Sequence, residues 1–149
     1  LLNNELTDFS FTHTDATGVP IANRVEGGKR PRSTMAPMLV FDDKGEFFAA
    51  LGSPGGGRII LYVVKTLIGL IDWKLDAQAA IDLPNFGSTG GPVELEIGWS
   101  TIWKALALRS YGHAIAPSLM NSGVHTVLRR DDHLEGGADP RREGAALGD

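Results

Sequence analysis

The chain contains no cysteine, which removes a disulfide framework, a thiolate metal site and a cysteine nucleophile at once. It has no run of lysines and arginines either. The formal charge of -4 is made of both signs spread along the sequence, so nucleic acid is not an expected partner. The longest apolar stretch, Ile59 to Ile71, is interrupted by Lys65 and Thr66 and falls short of the roughly 20 residues needed to cross a bilayer. A core segment is expected there, and no membrane span. The opening "LLNNELTDF" has no initiator methionine and none of the basic, apolar and small-residue order of a signal peptide. It reads as the end of a strand whose beginning is missing, and so as a fragment or a processed subunit. The four histidines, His13, His113, His125 and His133, have no metal-ligand spacing, so no metal site is expected. There is no internal repeat.

What the 149 residues do contain is an apolar fraction of 42%, enough for one domain, residues 1–149, with a sizeable core. From Phe9 to Pro31 the chain is rich in Thr, Asp, Gly, Pro and Asn and predicts a surface loop of about 20 residues, a length typical of lids and binding loops. "APMLVFDD" and "GEFFAALGS" predict a hairpin closed by Asp42, Asp43, Lys44 and Gly45. Both strands are apolar on both faces, which suggests a sheet covered on each side. Arg58 to Trp73 predicts a buried helix. Asp76 is placed to cap a short helix in "AQAAIDLP" that Pro84 stops. "PVELEIG" alternates as a half-exposed strand, Thr101 to Gly112 has helical spacing, and "HTVLRR" with "HLEGGAD" predicts a second hairpin. Strands followed by helices, with one late hairpin, make the expected class α+β.

Three stretches carry residue types suited to chemistry. In "LGSPGGGRII" a glycine cluster lies between a strand and a helix, the arrangement that presents backbone N–H groups to an anion. A phosphate loop needs GxxxxGK[ST], but Arg58 follows the last glycine; a dinucleotide site needs GxGxxG, and Gly52, Gly55, Gly56 and Gly57 have another spacing. An oxyanion hole needs only adjacent peptide N–H groups without side-chain bulk, which Gly55 and Gly56 supply; the alternative is a tight connection and nothing more. In "KRPRSTMAP" Ser33 and Thr34 are neighbouring hydroxyls suited to a carboxylate, or part of a solvated basic loop. In "NNELTDF" Glu5 and Asp8 suit an ammonium group, a metal or acid/base work, or are surface acids at a strand end.

Together and in this order, "LLNNELTDFS", "GKRPRSTMAPMLVFDDKG", "LGSPGGGRI" and "GGADPRREGAALGD" resemble the C-terminal part of the small subunit of γ-glutamyltranspeptidases, the glutathione hydrolases. The resemblance implies a partial αββα sandwich of the N-terminal nucleophile (Ntn) hydrolase type, formed when a precursor cuts itself into large and small subunits. It implies that Glu5 and Asp8 hold the α-amino group of a γ-glutamyl moiety, that Ser33 and Thr34 hold its α-carboxylate, and that the N–H groups of Gly55 and Gly56 form the oxyanion hole. Thr34 stands where many relatives have a second serine, and Thr7 replaces the first of two aspartates, while Asp8 remains. The family's nucleophile is an N-terminal threonine, expected upstream of Leu1. "FTHT" resembles the family's start only superficially, because it sits within the predicted loop.

The expected function is therefore γ-glutamyl transfer, or hydrolysis of glutathione and related amides, with this chain supplying the substrate clamp and the oxyanion hole. The resemblance implies no metal or organic cofactor. It implies as partners the large subunit of the same precursor, a γ-glutamyl compound, and water or an amine acceptor, in a periplasmic or extracellular location. A non-catalytic amino-acid-binding module that has lost the nucleophile is the alternative. An acylase acting on cephalosporin-type side chains is a third reading, against which the two acids argue.

Overall fold

Asp42 organises a turn around its own side chain. Its Oδ1 accepts from the backbone N–H groups of Lys44 (2.9 Å) and Glu46 (2.8 Å), and Gly45 N–H donates to the Asp42 carbonyl (3.0 Å). The turn joins β1 (Met38–Phe41) to β2 (Phe47–Gly52) in an antiparallel hairpin, as the sequence predicts. The structure is a computed structural model that describes residues 4–148. It divides into two units, Leu1–Thr34 and Met35–Asp149.

In the second unit, β2 leads through the glycine cluster into α1 (Ile59–Ile71), followed by α2 (Ala77–Asp82). Asp76 caps α2 as expected, accepting from Ala79 N–H at 2.7 Å. The late hairpin is present too: β6 (His125–Arg130) turns through Asp131 and Asp132 into β7 (His133–Ala138). Asp131 takes a positive φ of 53°, which aspartate tolerates better than most side chains. The four strands form an antiparallel sheet in the order β1-β2-β6-β7.

One face of this sheet is closed by the two helices. Ala49 and Leu128 pack with Leu70, Ala77 and Ala80, and Leu51 packs with Ile59 and Val63. On the other face Leu39 (67%), Val127 (42%) and Leu134 (64%) are exposed. Cover on both sides, expected from the two-sided apolarity of the first hairpin, is thus met on one side only.

A second sheet comprises β3 (Phe86–Gly87), β4 (Val93–Glu96) and β5 (Ile115–Ser118), with α3 (Ile102–Ser110) connecting β4 to β5. The alternation in "PVELEIG" and the helix before Gly112 appear as predicted. Neither β3 nor β5 is signalled in the sequence. The first has two residues, and the second contains Pro117, which lacks a ladder donor and is tolerated because β5 lies at the sheet edge.

Buried polar groups tie the last residues to this core. Lys65 on α1 donates to the carbonyls of Ile81 (2.7 Å) and Leu83 (2.8 Å) at the end of α2. Arg141 reaches the same two carbonyls at 3.3 and 3.2 Å and forks onto Glu96 at 2.6 and 2.8 Å. Cations at a helix C-terminus satisfy its orphan carbonyls and oppose its dipole. Burial lowers the Lys65 pKa to about 8. Burial works against the Asp139 carboxylate, yet hydrogen bonds from Ser122 and from the backbone of Arg141 and Val124 hold its pKa below the usual carboxylate value.

The first unit contains a single 3₁₀ turn, Glu5–Asp8, among its described residues. From there to Thr34 the chain carries only the isolated bridges Ser10–Arg24 and Thr14–Pro20. Residues 11–20 are all exposed, in keeping with the predicted surface loop, and Thr12 and Thr14 lie within them.

Candidate active site

The acid pair lies on the 3₁₀ turn Glu5–Asp8; the strand end read at Leu1 and Leu2 lies outside the described residues. Thr7 closes that turn through its N–H (2.9 Å) and its Oγ1 (2.7 Å), both donating to the Asn4 carbonyl, and Phe9 is buried just beyond it. In a helix of three residues per turn, side chains three apart eclipse, so Glu5 and Asp8 leave the backbone on the same side. Both are half-buried.

The hydroxyl pair reaches this turn from a distant part of the same unit. Ser33 Oγ donates to Glu5 Oε1 at 3.1 Å, and Thr34, half-buried, follows it. The junction is organised by Asn23, a residue for which the sequence gives no functional signal. Its Nδ2 donates to the Asp8 carbonyl at 2.7 Å, its Oδ1 accepts from Arg32 N–H at 3.0 Å, and its backbone carbonyl accepts from Ser10 N–H at 2.8 Å. The basic loop nearby is held by ion pairs of Glu26 with Arg24 (3.0 Å) and Lys29 (2.6 Å).

The glycine cluster lies in the second unit, where the strand-to-helix turn adopts backbone angles that side chains resist. Gly55 has φ +142° and Gly56 φ +56°. A Cβ on Gly55 would stand 2.6 Å from Cε2 of Tyr62, whereas one on Gly56 would meet nothing within 4 Å. A 3₁₀ turn, Gly56–Arg58, then runs directly into α1. Its last residue is anchored: Arg58 forks onto Glu94 of β4 through Nε (2.6 Å) and Nη2 (2.7 Å), and Nη2 also reaches Ser118 Oγ on β5 (3.3 Å). The fork raises the Arg58 pKa and lowers that of Glu94. Upstream, Ser53 Oγ accepts from Gly123 N–H at 3.2 Å. Arg58, which in the sequence only breaks the phosphate-loop pattern, is thus a tether of the glycine turn.

Adjacent carboxylates and hydroxyls suit the two charges of an amino acid, and a glycine turn at a strand-to-helix junction suits a developing oxyanion. No described group of three or more His, Asp or Glu side chains converges as a metal centre would. Among the described residues no helix is long and apolar enough to cross a membrane.

The chain is similar to known proteins in both sequence and fold. The model of the gamma-glutamyltranspeptidase family matches residues 1–149. The glutathione hydrolase proenzyme of Escherichia coli is 36% identical over 152 residues, covering 95% of this chain and 25% of its own length. That of Bacillus subtilis is 32% identical over 154 residues, covering 99% of this chain and 24% of its own. Among solved structures, gamma-glutamyltranspeptidase from Pseudomonas nitroreducens complexed with L-DON superposes with a TM-score of 0.77 at 26% identity, over 99% of this chain and 81% of that one. The chain spans about a quarter of the length of the curated relatives it matches. Its fold is the expected α+β type, with one sheet and one helical layer of the αββα Ntn-hydrolase sandwich. By sequence and by fold, the chain belongs to the gamma-glutamyltranspeptidase family.

Proposed function

We propose that this chain is the part of a γ-glutamyl-transferring enzyme that recognises the glutamyl head and stabilises the acyl-transfer transition state. The observation that carries the reading is the 3.1 Å contact between Ser33 and Glu5. An α-amino acid presents its ammonium and its carboxylate from one carbon, so anions for the first and donors for the second must be immediate neighbours. Glu5 and Asp8 take the ammonium, and the hydroxyls of Ser33 and Thr34 take the carboxylate, as charge-assisted hydrogen bonds.

The chemistry follows from the group to be cleaved. A threonine hydroxyl from outside this chain, with its own α-amine as base, attacks the γ-amide carbonyl. The N–H groups of Gly55 and Gly56 stabilise the negative oxygen that forms. Collapse expels the amine with the transferred proton and leaves a γ-glutamyl ester, which water hydrolyses or an acceptor amine takes over. These steps use no metal or organic cofactor.

The large subunit of the same precursor is the proposed partner. The exposed apolar face of Leu39, Val127 and Leu134 supports this, because a row of large aliphatic side chains on one sheet face suits a second sheet packed upon it.

The test is glutathione hydrolysis by the complete processed enzyme with and without Asp8→Ala. Loss of a charge-assisted contact of about 1.5 to 3 kcal/mol raises KM roughly tenfold or more. An unchanged KM rejects the clamp, and glutamate binding without turnover by the complete protein assigns it instead to a binding module.

A further inference from the structure

The clamp residues come from two stretches, 5–8 and 33–34, and neither is held by more than one turn of regular structure. No ladder fixes the spacing between them. Beside the direct contact of Ser33 with Glu5, one carboxamide bonds to the backbone of both stretches. Asn23 Nδ2 donates to the Asp8 carbonyl and Asn23 Oδ1 accepts from the N–H of Arg32, the residue before Ser33. The backbone carbonyl of Asn23 accepts from Ser10, two residues past Asp8. A planar group bonded at both ends sets a fixed distance, and only a side chain carrying donor and acceptor on one short stem satisfies both partners.

We propose that Asn23 is the positioning residue of the clamp: it sets the spacing between the acids that hold the ammonium and the hydroxyls that hold the carboxylate, without itself touching substrate. The proposal rests on the clamp reading above. Aspartate at this position keeps the shape and the acceptor toward Arg32 but turns a second oxygen toward the Asp8 carbonyl. Alanine removes both bonds. In either case the acid turn is no longer registered against Ser33 and Thr34, and a glutamyl head can meet one half of the clamp or the other.

The discriminating readout compares two donors on the complete processed enzyme: a γ-glutamyl anilide, and the corresponding glutaryl anilide, which lacks the α-ammonium and needs no registration between the two halves. Asn23→Ala and Asn23→Asp are expected to lower kcat/KM for the glutamyl donor roughly tenfold to a hundredfold, the scale of a misplacement near 1 Å. The loss should fall mainly in KM, and the value for the glutaryl donor should stay within about twofold of wild type. General damage to the fold lowers both donors together, and that result overturns the proposal. Asp8→Ala serves as the control. If it removes the preference for the glutamyl donor and the Asn23 variants do not, the positioning role is wrong and the clamp stands. If Asp8→Ala leaves the preference intact, the clamp reading itself has failed and takes this proposal with it. Should Asn23→Ala not accumulate as processed enzyme, the near-isosteric Asn23→Asp decides the question by the same ratio.

Discussion

The two glycines assigned to the oxyanion hole should respond very differently to alanine. At Gly55 the new Cβ would stand 2.6 Å from Tyr62 Cε2 and 3.1 Å from Cδ2. The ring has little room to yield, because Tyr62 is 2% exposed and packed with Ile81, Met120 and Val124. Overpacking of this kind costs about 1 to 3 kcal/mol, and a positive φ adds about 1 to 2 kcal/mol. The turn relieves that strain most readily by moving, and its N–H groups move with it. Losing one oxyanion donor lowers kcat by roughly a hundredfold to a thousandfold. At Gly56 the φ penalty alone applies, since a Cβ there meets nothing within 4 Å. Gly56→Ala should therefore keep kcat within about thirtyfold of wild type, the scale set by a cost of about 1 to 2 kcal/mol. The assay is the steady-state kcat and KM of γ-glutamyl anilide hydrolysis by the complete enzyme. Adding Tyr62→Leu to Gly55→Ala, which removes the obstructing ring carbon, should recover part of the lost kcat. Equal effects of the two alanines, or a larger one at Gly56, would refute the reasoning.

Two further outcomes follow from the tethers around this core. Arg58→Ala should lower kcat with little change in KM, since it frees the glycine turn from Glu94. The paired exchange Arg58→Glu with Glu94→Arg should restore part of the loss, although the half-exposed pair contributes only about 1 kcal/mol to stability; no recovery in the exchange would reject the tether. For Lys65, burial lowers the pKa from 10.5 to about 8, so the unfolded chain binds more protons between those two pH values and stability rises with pH across that window. The full effect is about 3 kcal/mol. Lys65→Met should remove this rise. It should also cost little near pH 7, because Arg141 already holds the Ile81 and Leu83 carbonyls. Parallel thermal-midpoint profiles from pH 7 to 10 for the two proteins would contradict the assignment.

Legibility in the sequence follows the range of the interactions. Both hairpins, the Asp76 cap and the apolar helix α1 are local, and each is specified by residues within a few positions of one another. β5 is recruited by parallel pairing with β4 across the whole of α3, and Pro117 masks it in the sequence. The acid turn itself has no signal in the sequence because its defining bonds, from Thr7 to the carbonyl of Asn4, leave no apolar period. The candidate site divides in the same way. The residue types of Glu5, Asp8, Ser33, Thr34, Gly55 and Gly56 are visible because the proposed chemistry calls for them. Asn23 and Arg58 are not, because their partners lie 15 and 36 residues away and only the fold brings them together.

The most direct test of the central claim is a crystal structure of the complete enzyme with glutamate bound. The α-ammonium is expected within hydrogen-bond distance of the Glu5 and Asp8 carboxylates, the α-carboxylate on the hydroxyls of Ser33 and Thr34, and a γ-carboxylate oxygen on the N–H groups of Gly55 and Gly56. Glutamate bound with its α-carbon groups reversed, or away from these six residues, would contradict it.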